Sequence, residues 1–258
     1  MDFEFTSYGL SDLGLARRRN EDAWAQLKAL NLYILADGMG GHKGGDVAAS
    51  QAIHHVCCEA RATLEEKLNT AQNAEEVKDL LVGFIEKANS HVYEMGQSDS
   101  SLKGMGTTLL TLLFWRGHYI CAHVGDSRLY RFRKEGLDQI SSDHSLLREL
   151  KDSGILLHKK EIRRARCILT RAVGTMPSVS TSCEIGALEE GDVFLLCSDG
   201  LSDVLEREEI EHLLKQSKTL EDAGAKLIHR AKKAGGKDNI TALIIYTEKA
   251  YANANLSR

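Results

Sequence analysis

The sequence predicts an α+β fold in which mixed sheets carry helices on their outer faces, and three observations point there. Short segments rich in branched and aromatic residues recur along the chain. Two long amphipathic stretches separate the early segments from the later ones, and the regular strand–helix alternation of a parallel array is missing. Strands are expected over 3–8, 32–36, 107–115, 119–124, 129–132, 193–197 and 241–246. The first long helix follows from Ala49, Ile53, Val56, Ala60, Leu64 and Leu68, which recur at spacings of three and four. The second covers 74–95, with Val77, Leu81, Phe84, Ile85, Ala88 and Val92 in phase. Further helices are expected over 146–153, 206–216 and 220–234.

A chain of 258 residues buries enough surface to fold without a metal or a disulfide. No repeat, low-complexity tract or linker-like shift divides it, so one domain over 1–248 is expected, followed by a polar tail over 249–258. The 33 basic residues stand against 37 acidic ones, which argues against a dedicated nucleic-acid binder. No apolar run is long enough to cross a bilayer, and Met1-Asp2-Phe3-Glu4 lacks the basic-then-apolar order of a signal peptide. The six cysteines form no C-x-x-C pair and mostly sit inside apolar stretches. They read as buried free thiols of a cytoplasmic protein.

The informative feature is a repeated oddity. The apolar run 32–36 ends in Asp37-Gly38, and 193–197 runs into Ser198-Asp199-Gly200. Ile120 to Val124 leads to Gly125-Asp126-Ser127, and Asp238-Asn239 immediately precedes the run 240–245. Asn20-Glu21-Asp22 adds a further acidic site. A single Asp-Gly reads as a turn. Four aspartates abutting strands that look buried on both faces are different, because each ionised carboxylate there costs several kcal/mol unless a cation compensates it. The donors are all oxygen, with no H-E-x-x-H and no C-x-x-C, so Mg²⁺ or Mn²⁺ is favoured over zinc. Two such ions roughly 4 Å apart can bridge a hydroxide and clamp a phosphoryl group. The pattern therefore favours metal-assisted phosphate chemistry.

Six motifs then occur in a fixed order: Gly14-x-x-Arg17-x-x-Asn20-Glu21-Asp22, Ala36-Asp37-Gly38-Met39-Gly40-Gly41, Gly106-Thr107-Thr108, Gly125-Asp126-Ser127-Arg128, Ser198-Asp199-Gly200-Leu201-Ser202-Asp203 and Asp238-Asn239-Ile240-Thr241. Together they resemble the metal-dependent protein Ser/Thr phosphatases of type 2C, in their compact bacterial form. The resemblance implies a four-layer αββα sandwich, two stacked antiparallel sheets flanked by helices. It implies two Mn²⁺ or Mg²⁺ ions held by Asp22, Asp37, the Gly38 carbonyl, Asp199 and Asp238, with Glu21 beside or just behind them. Asp126, with Asp199, matches the position of a third, weaker ion, and Arg17 matches the residue that grips the substrate phosphate. A guanidinium fork suits that task. The expected reaction is direct attack of a metal-bridging hydroxide on phosphoserine or phosphothreonine. The expected partners are phosphoproteins, opposite a Ser/Thr kinase, and the expected state is a monomer with no nucleic acid and no membrane.

Two other readings stay open: an inactive phosphatase-fold module that regulates a partner, and a hydrolase of small phosphorylated metabolites. A cysteine-phosphatase loop is absent, since no cysteine has an arginine six positions on. Met39 stands where many eukaryotic relatives have the histidine proposed as general acid, leaving His42 and His144 as candidates. Arg128 and Arg171 are expected to brace loops through ion pairs. The basic run His158 to Arg166 falls where the family has a variable flap beside the site. It reads as a solvated helix face, or alternatively as a surface that attracts acidic phosphopeptides.

Overall fold

A computed structural model describes residues 3–39 and 44–250. Its strands are β1 (Phe3–Asp12), β2 (Asp22–Leu27), β3 (Leu32–Met39), β4 (Gly106–Thr107), β5 (Leu109–Trp115), β6 (His118–Val124), β7 (Arg128–Arg133), β8 (Gly136–Gln139), β9 (Ser182–Ala187), β10 (Val193–Cys197) and β11 (Ile240–Lys249). Its helices are α1 (Gly45–Thr70), α2 (Ala74–Ser98), α3 (Leu146–Asp152), α4 (Lys159–Arg166), α5 (Asp199–Ser202), α6 (Arg207–Gln216) and α7 (Leu220–Lys233). One sheet has the order β1-β11-β10-β7-β8. The other runs β2-β3-β5-β6-β9, with β4 pairing onto the end of β3. The pairings along both paths are antiparallel.

The period of two along each strand sorts the apolar runs into three cores. Tyr33, Leu35, Leu110, Leu112, Phe194, Leu196, Leu243 and Ile245 meet between the sheets. Their neighbours Leu32, Ile34, Ala36, Leu109 and Leu113 face the other way and pack under α1 and α2. Leu195, Cys197, Ala242 and Ile244 do the same under α6 and α7. Both faces of each central strand are thus covered, which is why those strands read as unbroken apolar runs. Four layers result, as expected.

Register sets the ends. Asp22 lies directly opposite Asp37, a like-charged cross-strand pair that is unfavourable without compensation. Cys197 pairs with Ala242, so Asp199 beyond β10 and Asp238 before β11 leave the sheet at one end. Val124 pairs with Leu109 and brings the Gly125-Asp126 turn to the end of β6.

The differences from expectation concentrate at edges. The strands without a clear sequence signal, β2, β8 and β9, are all edge strands, with half-exposed positions and few branched residues. The expected strand 107–115 breaks at Thr108, whose backbone N–H turns to the Asp37 carbonyl. The basic run forms α4, with Ala165 as its buried residue. All six thiols are free, but Cys58 and Cys167 are exposed, because each sits on the outward side of its helix or at its end. No helix among the described residues is long and apolar enough to cross a membrane.

Candidate active site

The loop between β1 and β2 carries Arg17 and Glu21, and backbone contacts fix it. Gly14 has φ +77°, and a Cβ there would collide with the Asp238 carbonyl. Leu15 N–H donates to the Gly236 carbonyl at 2.6 Å. Asn239 ties the loop down from the other side: its amide donates to the carbonyls of Leu13 and Arg19, both at 3.0 Å, and its Oδ1 accepts from Glu21 N–H at 2.8 Å. Glu21 in turn accepts from Gly38 N–H through its carbonyl at 3.1 Å. Gly38 is required by close approach, since a Cβ there would meet the Gly45 carbonyl at the start of α1. The Glu21 carboxylate lies against Gly45, near the partial positive charge of that helix N-terminus.

Asp37 is held through its backbone. Thr107 Oγ1 donates to its carbonyl at 2.9 Å, and Thr108 Oγ1 accepts its N–H at 2.9 Å. Asp22 is held through its side chain. Its Oδ2 accepts from Ser198 Oγ at 2.7 Å and Thr241 Oγ1 at 2.6 Å, while its Oδ1 is buried with no hydrogen-bond partner. Asp126 follows Gly125, which has φ +105° and where an added Cβ would lie 2.5 Å from Thr108 Cγ2. Asp199 opens α5.

These acids feel one another. Burial, and then the charges of Asp22, Asp199, Asp126 and Asp238, hold the Asp37 carboxyl well above the usual range. Burial followed by Asp126, Asp238 and Asp203 does the same to Asp199. Burial pushes Asp22 up to about 6, outweighing the bonds from Thr241 and Ser198. Asp126 rises to about 7 through burial, Asp143 and Asp203. The nearby cations are engaged at the rim or on another acid: Arg17 Nη2 pairs with Asp238 Oδ2 at 2.6 Å, Arg166 approaches Asp203 at 3.7 Å, and Arg128, whose charge lowers Asp126 against the effect of burial, is paired with Asp143 at 2.7 Å. The Arg17 guanidinium is accordingly raised, chiefly by its bond to Asp238.

The donor set fits a hard divalent cation. It offers buried, mutually repelling oxygens and an orphaned Asp22 Oδ1. As the side chains stand, no three acid, histidine or cysteine residues among the described ones are arranged to hold a metal ion together. The hydroxyls on Asp22 and the guanidinium on Asp238 hold those carboxylates to other partners. Asp22, Asp37, Asp126, Asp199 and Asp238 are thus brought together, and Arg17 stands at their edge on Asp238.

His144 does not present a free ring. Its Nδ1 accepts from Gly125 N–H at 3.1 Å, which leaves the proton on Nε2, facing Ser182 Oγ at 2.8 Å. Burial, His123 and Arg171 depress it to about 3. Its ring clamps the Gly125 turn. Arg128 braces its loop through Asp143, at 2.9 and 2.7 Å. Arg171 differs from expectation: it donates to Ser182 Oγ at 3.3 Å and forms no ion pair among the described residues. His42 lies outside the described residues. Ser198, Thr241, Thr108 and Asn239 support the site without having been singled out for it. Ser198 and Asn239 carry a sequence signal, a hydroxyl or amide immediately beside Asp199 or Asp238, whereas Thr108 and Thr241 adjoin no acid. A separate cavity of about 430 Å³ between α6, α7 and the sheet, lined by Val193, Leu214, Leu220 and Tyr246, lies at the opposite end of β10.

The family model for protein phosphatase 2C matches residues 16–244. The chain belongs to the protein phosphatase 2C family. This is a family of metal-dependent phosphatases, and the protein is therefore a hydrolase by descent. It is 34% identical over 239 residues to the serine/threonine phosphatase Stp of Listeria monocytogenes, covering 91% of this chain and 93% of that one. The Streptococcus agalactiae serine/threonine phosphatase superposes with a TM-score of 0.84 at 35% identity, over 94% of this chain and 99% of that one. The PstP catalytic domain, solved with two manganese ions, superposes with a TM-score of 0.83 at 29% identity, over 96% and 100% of the two chains.

Proposed function

We propose that this protein phosphatase 2C member releases phosphate from phosphoserine and phosphothreonine in proteins by direct attack of water on phosphorus. It acts as a monomer in the cytoplasm, opposite a Ser/Thr kinase, through one catalytic domain over 1–248. Asp22, Asp37, the Gly38 carbonyl, Asp199 and Asp238 would hold two Mn²⁺ or Mg²⁺ ions, and Asp126 with Asp199 a third. The observation that carries this reading is the group of buried carboxylates with no cation of their own, including the unpartnered Asp22 Oδ1. When bound, the ions supply Lewis acidity, lowering the pKa of water and offsetting charge on the phosphoryl oxygens.

The chain's own residues do the rest. Ser198 and Thr241 orient Asp22 by occupying Oδ2, which directs Oδ1 to a ligand. Thr107 and Thr108 fix the Asp37 backbone. Arg17 leaves Asp238 to take two phosphate oxygens with its fork, and the same movement frees Asp238. His144, with its proton committed to Ser182, does not protonate the leaving alcohol.

Chelator-stripped protein tests the proposal directly. Phosphate release from phosphothreonine and phosphoserine peptides is expected to be absent in EDTA and restored by Mn²⁺. No release under any metal would support an inactive regulatory module. Release from small phosphomonoesters but from no peptide or protein would support a metabolite hydrolase.

A further inference from the structure

Most of the basic run of α4 is not spent on structure. Lys159, Arg163 and Arg166, at i, i+4 and i+7, line the same groove as Asp199, Asp203 and Asp238, and Lys237 joins them from the far side. The groove has a volume of about 420 Å³, within the usual range for ligand sites. Its apolar wall comes from Ile162 and Val204. Arg166 is engaged, donating to the Asp203 carbonyl at 3.4 Å and lying 3.7 Å from its carboxylate. Lys159, Arg163 and Lys237 are exposed and form no ion pair among the described residues. If α4 served only to offset the carboxylate cluster, these cations would be expected to reach it as Arg166 and Arg17 do. They stop at the groove wall.

From this we infer that Lys159, Arg163 and Lys237 form a specificity subsite that selects phosphoproteins carrying Asp or Glu beside the phosphorylated residue. The inference rests on the phosphoprotein reading above. The phosphorylated side chain enters at Asp199 and Asp238, and the adjoining backbone crosses the groove. Flanking carboxylates then meet unpaired cations within a Debye length, about 8 Å at physiological salt. Flanking lysines meet like charge. Exposed pairs of this kind are individually weak and screened, so two or three acting together are expected to discriminate by roughly five- to tenfold.

Phosphothreonine peptides of one length, flanked by Glu, Ala or Lys, test this with Mn²⁺ at about 0.15 M salt. The expected kcat/KM order is Glu above Ala above Lys, with a span of roughly tenfold that lies in KM and shrinks at higher salt. The double substitution Lys159→Glu/Arg163→Glu is expected to invert the order. Lys160→Glu/Arg164→Glu, on positions of α4 outside the groove, is expected to keep it. Equal kcat/KM for the three peptides, or an order that survives reversal at 159 and 163, would overturn the subsite. Cleavage of p-nitrophenyl phosphate with no cleavage of any peptide would instead overturn the phosphoprotein reading and the subsite with it.

Discussion

Buried aspartates at the two ends of β10 live under opposite rules. At one end, Asp192 is fully buried and takes Arg133 Nε at 2.6 Å and Nη2 at 2.7 Å, with Glu189 N–H at 2.9 Å. Its charge is matched by the chain itself. At the other end, Asp22, Asp37, Asp126 and Asp199 are desolvated together, and the nearby cations pair with Asp238, Asp203 and Asp143 instead. A buried acid that serves the fold brings its own cation. Acids left without one mark a place where a cation comes from solution.

Substitutions at the two ends should therefore separate activity from stability. Asp37→Asn or Asp199→Asn is expected to lower kcat by a hundred- to thousandfold (about 3–4 kcal/mol in the barrier) while leaving the metal-free melting temperature unchanged or higher. Asp192→Asn is expected to do the reverse, costing about 3 kcal/mol of stability because Arg133 loses its partner, with turnover per folded molecule retained. Near-normal turnover in Asp37→Asn or Asp199→Asn would refute the ligand assignment.

The unmatched end also sets the pH dependence. Its carboxyls titrate higher in the folded chain than the value of 3.8 taken for the unfolded one, with Asp22 near about 6 and Asp126 near about 7. The folded state then binds more protons than the unfolded state, so this stabilisation is present below pH 3.8 and is lost as pH rises through about 6 to 7. Thermal melts in EDTA should show lower stability at pH 8 than at pH 5, and Mn²⁺ should restore most of the loss at pH 8. A metal-free stability that rises with pH would show that the cluster is not repulsive.

Smaller effects refine the boundary. Arg17→Ala is expected to raise KM about tenfold with little change in kcat, and to leave Mn²⁺ affinity equal or tighter, since Asp238 loses a competitor. Unchanged KM and kcat would remove Arg17 from the site. His144→Gln is expected to cost about 1 kcal/mol of stability and to leave the pH profile of kcat in place. A lost limb in that profile would return His144 to the chemistry.

Much of this was legible in the residues, for physical reasons. The central strands could be read because burial on both faces forces unbroken apolar runs such as 32–36 and 193–197, and an Asp at the end of such a run has no bland partner in sight. The long helices showed in the stripe Ala49 to Leu68 and in its counterpart from Val77 to Val92. Edge strands β2, β8 and β9 escaped because half-exposed positions carry weak patterns. The pairing of Arg17 with Asp238 spans 221 residues and leaves no local trace. The same is true of the hydroxyls that hold Asp22, from Ser198 and Thr241. Helix α4 has almost no apolar stripe, so its charges alone did not say which side they face. That came only from the groove it shares with Asp199.

Anomalous diffraction from crystals grown with Mn²⁺ bears most directly on the unmatched acids. Peaks are expected among Asp22, Asp37, Asp199 and Asp238, with Asp22 Oδ1 directed at one of them and Arg17 moved off Asp238. Strong manganese peaks elsewhere and none among these carboxylates, with the Arg17–Asp238 pair intact, would contradict the account.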